Sequence, residues 1–254
     1  MEVGAVELAW LFVAALCAGT VDAIAGGGGL ITVPALFAAG LPPHVALGTN
    51  KGQSVFGAFA ALWRYHRAGL VDVRRAKLTF PLSAVGSCAG AALVLLLRPE
   101  VLRPLVLVLL LAVAVFLTFR RGLEGSAVDG PRVHPLWGAG GLAIAVGAYD
   151  GFFGPGTGTF LIAGFVALLG LSLREATADA KVINFASNLA AVALFASGGL
   201  ILWKVALPMA VGQFVGAWIG AHVAVKGGAK VIRPVVLTVV VTLVLKVGWD
   251  LFSA

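Results

Sequence analysis

Charge is what this chain has least of. Of 254 residues only 11% are Asp, Glu, Lys or Arg, while 60% are hydrophobic, and the mean hydropathy is +1.04. A soluble domain of this length needs far more charge to cover its surface. The composition therefore excludes one and requires an integral membrane protein lying almost wholly within the bilayer. Polar sequence is equally scarce, the longest polar interval covering roughly residues 120–134. Cysteine is nearly absent: Cys17 and Cys88 both sit in apolar segments, which excludes a disulfide framework or cysteine metal site and leaves them as small packing residues. The N-terminus has neither a basic region nor a small-residue cleavage site, so the first apolar run is expected to stay as a span. No Ser/His/Asp, His-Glu-x-x-His or Cys-x-x-Cys constellation occurs. The expectation is a chain that is not an enzyme, with no catalytic residue, metal or cofactor. The net charge of +7 does not imply nucleic acid, because most basic residues flank apolar spans, the pattern of membrane orientation.

What the chain has in excess is glycine, and its placement organises the rest. Asp22-Ala-Ile-Ala-Gly-Gly-Gly-Gly-Leu-Ile-Thr-Val-Pro34 puts four successive glycines between two apolar runs. Such a run cannot be the middle of a stable helix, since each glycine forfeits about 1 kcal/mol against alanine. The arrangement returns as Asp150-Gly-Phe-Phe-Gly-Pro-Gly-Thr-Gly-Thr-Phe160. A carboxylate followed by an unwound glycine segment, twice over, is the pattern of a transporter with broken helices.

Ten apolar segments can be drawn, at about residues 6–25, 30–39, 45–65, 78–97, 101–119, 136–153, 159–169, 176–196, 202–225 and 231–251. The second and seventh rise only about 15–18 Å against a hydrocarbon core of about 30 Å, so each glycine segment is expected at depth. The halves read as copies. At an offset of 130, Gly40-Leu41 matches Gly170-Leu171, Lys51 matches Lys181, Gly69-Leu70 matches Gly199-Leu200, Gly86 and Gly90 match Gly216 and Gly220, and Arg103-Pro104 matches Arg233-Pro234. Asp22 and Gly26 match Asp150 and Gly154 at an offset of 128. The fold expected is an all-α membrane protein of two inverted five-segment repeats, 1–120 and 135–254, joined by a cytoplasmic linker at 121–134.

Basic residues agree with that topology. With the N-terminus outside, twelve Lys and Arg flanking the spans fall inside (Arg64, Arg67, Arg74, Arg75, Lys77, Arg120, Arg121, Arg132, Arg174, Lys226, Lys230 and Arg233) and four outside (Arg98, Arg103, Lys204 and Lys246), a positive-inside bias. If the two short segments dip in and return, eight spans remain and the N-terminus moves inside.

Charges at the bilayer centre cost at least about 2.5–3.5 kcal/mol unless they face a partner or water. The list is Asp22, Lys51, Asp150, Asp179 and Lys181, with Thr49, Asn50, Gln53 and Ser54 around the first lysine and Asn184, Ser187 and Asn188 near the second. One reading is an anion site. Glycine N–H groups opening into short helices whose positive ends face the gap bind oxyanions. The substrate-binding candidates are then Gly26, Gly27, Gly28, Gly29, Asn50 and Lys51 in the first half. In the second they are Gly154, Gly156, Thr157, Gly158, Lys181, Asn184 and Asn188. Asp22 and Asp150 are candidates for carrying protons. The other reading is that the lysines neutralise Asp22, Asp150 or Asp179 and the glycines serve close packing. Gly-Pro-Gly-Thr-Gly is no nucleotide loop, for it lacks the following lysine and any soluble βα unit. Gly86/Gly90 and Gly212/Gly216/Gly220 read as helix contacts, and Trp10, Trp63, Trp137, Trp203 and Trp249 as interfacial anchors. His44 reads as a residue at a helix start, and His222 as a packed or hydrogen-bonded one.

These residues resemble the sulfite exporter TauE/SafE family of membrane permeases, and look closest to its YfcA-like branch. The resemblance rests on Asp22 to Pro34, Thr49-Asn50-Lys51, Tyr149-Asp-Gly-Phe-Phe-Gly-Pro-Gly-Thr-Gly158, Val211-Gly-Gln-Phe-Val-Gly-Ala217 and Ile232-Arg-Pro234. It implies a multi-span inner-membrane transporter exporting sulfite or small organosulfonates. Pro155 and Thr157 stand where the first half has glycine, so the two half-sites are not expected to touch a ligand identically. The partners expected are a small anionic substrate and the lipid bilayer, with no nucleic acid; the oligomeric state is left open, a homodimer among the options. A membrane-embedded binding or assembly subunit without transport of its own, and an anion channel, remain as alternatives. The ten-segment topology makes its own prediction: cysteines placed by Glu2→Cys and Ala254→Cys react with an impermeant thiol reagent from outside. Labelling of either from the cytoplasmic side alone would refute it.

Overall fold

The computed structural model describes residues 4–119 and 133–227, with the side chains of 114–119 left aside. The expected tenth segment at 231–251, Trp249, and all of the linker at 121–134 except its last two residues lie outside the described residues. Nine helices make up the described part: α1 (Ala5–Ala25), α2 (Gly29–Ala38), α3 (Pro43–Arg67), α4 (Val73–Leu96), α5 (Pro99–Phe119), α6 (Pro135–Phe152), α7 (Thr157–Leu169), α8 (Leu173–Ser197) and α9 (Trp203–Gly227). No strand occurs among the described residues. By length and composition α1, α4, α8 and α9 suffice to cross a membrane, and α2 and α7 are the short apolar helices.

Helix boundaries follow local chemistry. Proline opens α3 and α6 at Pro43 and Pro135, where its missing N–H costs nothing. Asp72 caps α4 by accepting from the Arg74 and Arg75 amides, and Ser172 with Glu175 forms a capping box on α8. The turns after α3 and α8 are alike, with left-handed Gly69 and Gly199 at φ 71° and 66°. In each the next leucine amide reaches back, Leu70 to Tyr65 O at 3.2 Å and Leu200 to Phe195 O at 2.9 Å. Residues 130 apart in sequence thus adopt the same conformation.

Packing is reciprocal between the halves. α1 lies along α9 and α4 along α6, while α3 and α8 lie against each other and against α9 and α4 respectively. Small residues set both long contacts. A Cβ added to Gly212, Gly216 or Gly220 of α9 would come within 2.6, 2.0 and 2.3 Å of the Phe12, Leu16 and Thr20 carbonyls of α1. On α4, Gly86 and Gly90 stand in the same relation to the Ile144 and Ala148 carbonyls of α6, at 2.4 and 2.0 Å. Backbones meet this closely only where no Cβ intervenes, which is how helices associate in a solvent as apolar as their own side chains. Trp10, Trp63, Trp137 and Trp203 are all exposed. His44 lies at the start of α3, its Nε2 3.1 Å from both the Val94 and Leu97 carbonyls, and His222 accepts from Arg64 Nε at 3.3 Å.

The buried polar residues concentrate on α3 and α8: Thr49, Asn50, Lys51 and Gln53 on one, Thr177, Asp179, Lys181, Asn184, Ser187 and Asn188 on the other. The packing account predicts that Gly90→Ala lowers stability in detergent by about 1–3 kcal/mol through overpacking. Gly141→Ala, exposed and with nothing within 4 Å, is neutral or stabilising by up to about 1 kcal/mol. Equal midpoints of thermal unfolding for the two variants would contradict it.

Candidate functional site

Both helix breaks are present. α1 ends where Gly26 turns left-handed at φ 79° and its N–H closes on Asp22 O at 2.8 Å; α2 begins three residues later. α6 ends at Phe152, and Gly154 and Gly156 at φ 98° and 86° carry the chain around Pro155 into α7. These glycines occupy a region that an L side chain enters only with strain.

The two breaks touch. A Cβ on Gly26 would lie 2.3 Å from the Cα and carbonyl carbon of Gly158, and one on Gly158 would lie 2.4 Å from Gly26 Cα. Thr159 N–H donates to Gly26 O at 3.1 Å, and its hydroxyl donates to Ala25 O at 2.9 Å. Pro155 packs on Gly29, whose added Cβ would meet the Pro155 Cα at 3.1 Å. The helix that follows each break therefore starts beside the other break.

Charges cross between the halves in the same way. Lys51 of α3 pairs with Asp150 of α6 at 2.9 Å, and Lys181 of α8 pairs with Asp22 of α1 at 3.0 Å. Lys181 also donates to the Asp22 backbone carbonyl. Asp150 is fully engaged: Thr157 Oγ1 stands 2.8 Å from its Oδ1, and the Ser187 hydroxyl donates to its Oδ2. Asp22 is held more loosely, by Gly28 N–H at 3.3 Å and Asn184 Nδ2 at 3.4 Å besides its lysine. Its side chain is 16% exposed against 3% for Asp150. Asp179, fifth among the expected intramembrane charges, is elsewhere. It pairs with Arg75 at 2.6 Å and accepts from the Asp72 amide at 3.2 Å, at the start of α4.

Between the breaks lies a small cavity of about 20 Å³, room for about one water. It is lined by Asp22, Gly29, Asn50, Lys51, Asp150, Gly154, Gly156, Thr157, Asn184 and Asn188. Gly26, Gly27, Gly28, Gly158 and Lys181 of the sequence candidates do not line it: Gly26 and Gly158 form the contact between the breaks, Gly28 packs against Ala18 and Asp22 of α1, and Lys181 is bonded to Asp22. Gly29 and Thr157 are the first residues of α2 and α7, so the positive ends of two helices border one space, although the amides of Leu30, Ile31, Thr157 and Thr159 already donate to carbonyls of the breaks. Asn50 Oδ1 accepts from Thr32 Oγ1 at 2.6 Å and Gln53 Nε2 at 3.1 Å, which leaves its Nδ2 donor to offer to the cavity. The four charges of the two ion pairs sum to zero.

Ser54 and Gln213 also line the cavity, and the motif reading assigned neither to binding. The signal for Gln213 was an amide in an otherwise apolar span. Its Oε1, like that of Gln53, is buried without a hydrogen-bond partner among the described residues. Thr32 was missed as the residue that turns Asn50, because it lies in the preceding helix and nothing in the sequence links them.

Comparison with known proteins places these residues in context. The profile of the family described as Sulfite exporter TauE/SafE matches residues 11–247. The chain is 44% identical over 207 residues to the probable membrane transporter protein ORF9 of a Sinorhizobium species, covering 82% of this chain and 79% of that protein. It is 41% identical over 215 residues to a probable membrane transporter protein of Haemophilus influenzae, covering 84% and 83%. With the probable membrane transporter protein YfcA of Escherichia coli the identity is 40% over 207 residues, covering 80% and 76%. No solved structure matches.

Breaking one buried pair strands a charge, whereas removing both partners leaves none. Lys51→Met is therefore predicted to cost about 3–5 kcal/mol. The double variant Lys51→Met/Asp150→Leu recovers most of that loss. Additive losses in thermal unfolding would show that the two side chains are not coupled.

Proposed function

Because this chain belongs to the sulfite exporter TauE/SafE family, we propose that it exports a small anion, sulfite or a small organosulfonate, by alternating access around the cavity between its two helix breaks. It is a multi-pass membrane transporter of the cytoplasmic membrane; the substrate and the cycle are the proposal. The observation that carries it is the meeting of the breaks at Gly26 and Gly158 beside a space onto which two helix N-termini open. Backbone N–H groups and helix dipoles attract an oxyanion without a surplus of cationic side chains. At about 20 Å³ the cavity is too small for a four-atom oxyanion, so the cycle requires it to widen when the ligand enters.

Lys51 is the cation that meets the anion, because it lines the cavity and Lys181 does not. The anion competes with Asp150 for the Lys51 ammonium. Asn50 Nδ2, Asn184 and Thr157 orient the ligand, and the unpartnered Gln213 Oε1 accepts from the hydroxyl of a singly protonated oxyanion such as hydrogensulfite. Of the two carboxylates proposed for proton transfer, Asp22 suits the role better, being the more exposed and held through the longer hydrogen bonds. Reciprocal packing of α1 on α9 and α4 on α6 fits two inverted repeats rocking about α3 and α8. Export of an anion runs down a potential negative inside, at about 2.3 kcal/mol per charge per 100 mV.

Flux of sulfite from liposomes holding only this protein is predicted to saturate with concentration. Lys51→Ala is predicted to reduce it about tenfold or more, the equivalent of one charge-assisted hydrogen bond of about 1.5–3 kcal/mol. Unchanged flux in both Lys51→Ala and Lys181→Ala would remove the lysines from the mechanism. Flux that does not saturate would mark a channel, and none at all an assembly subunit.

A further inference from the structure

A second, much larger cavity lies outside the central site, between α3, α4 and α8. It measures about 490 Å³, within the range of about 300–1,000 Å³ usual for ligand sites. Its walls are Phe59, Trp63, Val73, Phe80, Pro81 and Phe185 with other apolar neighbours, and its polar lining is confined to His66 and Lys77. The aromatic rings form a continuous row: Trp63 to Phe59 at 6.1 Å, Phe59 to Phe185 at 5.7 Å and Phe185 to Phe80 at 6.2 Å between centroids. Phe59 and Trp63 are 43% and 46% exposed, so the row faces the membrane.

The cations sit at one end, where α3 finishes and α4 begins, and there Arg67 and Arg74 are exposed beside His66 and Lys77. Neighbouring arginines already have partners: Arg75 is bonded to Asp179 and Asp72, and Arg64 to His222. Lys77 has no carboxylate within ion-pair distance among the described residues. An extended peptide in this groove would leave its N–H and C=O groups without partners in hydrocarbon. An acyl chain carries no such groups. We propose that the groove is a binding site for an anionic phospholipid, its acyl chain lying along the aromatic row and its phosphate held by Lys77 and His66. A lysine flanking a membrane span selects anionic headgroups by about 1 kcal/mol, about fivefold.

Tryptophan quenching by chain-brominated lipids tests this, with the Trp63 component isolated as the difference between wild-type protein and Trp63→Phe. In phosphatidylcholine vesicles containing brominated phosphatidylglycerol or brominated phosphatidylcholine, the anionic lipid is expected to associate with the groove about fivefold more strongly. His66→Gln/Lys77→Gln abolishes the preference, and Lys77→Arg, which keeps the charge, retains it. Equal quenching by both lipids in the wild type would overturn the proposal, as would a preference that survives the double variant. Shielding of Trp63 from both lipids, the result expected of a second copy seated in the groove, would overturn it as well.

Discussion

The structure depends on keeping four charges inside a hydrocarbon medium. An isolated ion at the bilayer centre is costly, and the protein meets that cost by pairing each lysine with the aspartate of the opposite half, Lys51 with Asp150 and Lys181 with Asp22. Neither half can satisfy its own charges in this arrangement. Buried pairs contribute little net stability because desolvation consumes most of the Coulomb energy. What they provide is registry, since any relative slip of the halves strands two ammonium groups at once.

Backbone contact enforces the same registry by other means. The breaks approach until Gly26 and Gly158 leave no room for a Cβ, and Thr159 ties α7 to the end of α1 through both its amide and its hydroxyl. Along the long helices the glycine rows of α9 and α4 bring backbones together on α1 and α6. Ion pairs, break contacts and glycine rows all join one half to the other. They converge on a small polar space bordered by two helix N-termini, the space in which the proposed anion site lies.

Much of this was legible in the sequence, and the reasons differ from feature to feature. Four successive glycines exclude a continuous helix whatever surrounds them, so the first break could be read directly; Asp150 and the Gly-Pro-Gly-Thr-Gly run located the second. The rows of Gly86/Gly90 and Gly212/Gly216/Gly220 fall one helical turn apart, and that spacing alone marks a close contact. Partners were harder. Helical periodicity places Lys51, Asn50 and Ser54 on neighbouring faces but does not say what those faces meet, and three carboxylates were open to the two lysines. Asp179 is distinguished from the other two only by the fold, which brings α8's first turns against Arg75. Gln213 went unassigned because a single amide in an apolar span fits a packing role as well as a binding one, and Thr32 because its link to Asn50 exists only in three dimensions.

The central claim is that the paired breaks and Lys51 form one anion-binding space. Selenite, a heavier oxyanion of the same shape as sulfite, gives an anomalous scattering signal that identifies its position without interpretation of shape. Diffraction from protein soaked in selenite should show its strongest peak between Gly29, Asn50, Lys51 and Thr157, with Lys51 drawn away from Asp150. Peaks confined to surface arginines, with the Lys51–Asp150 pair intact and the cavity no larger, would contradict the account.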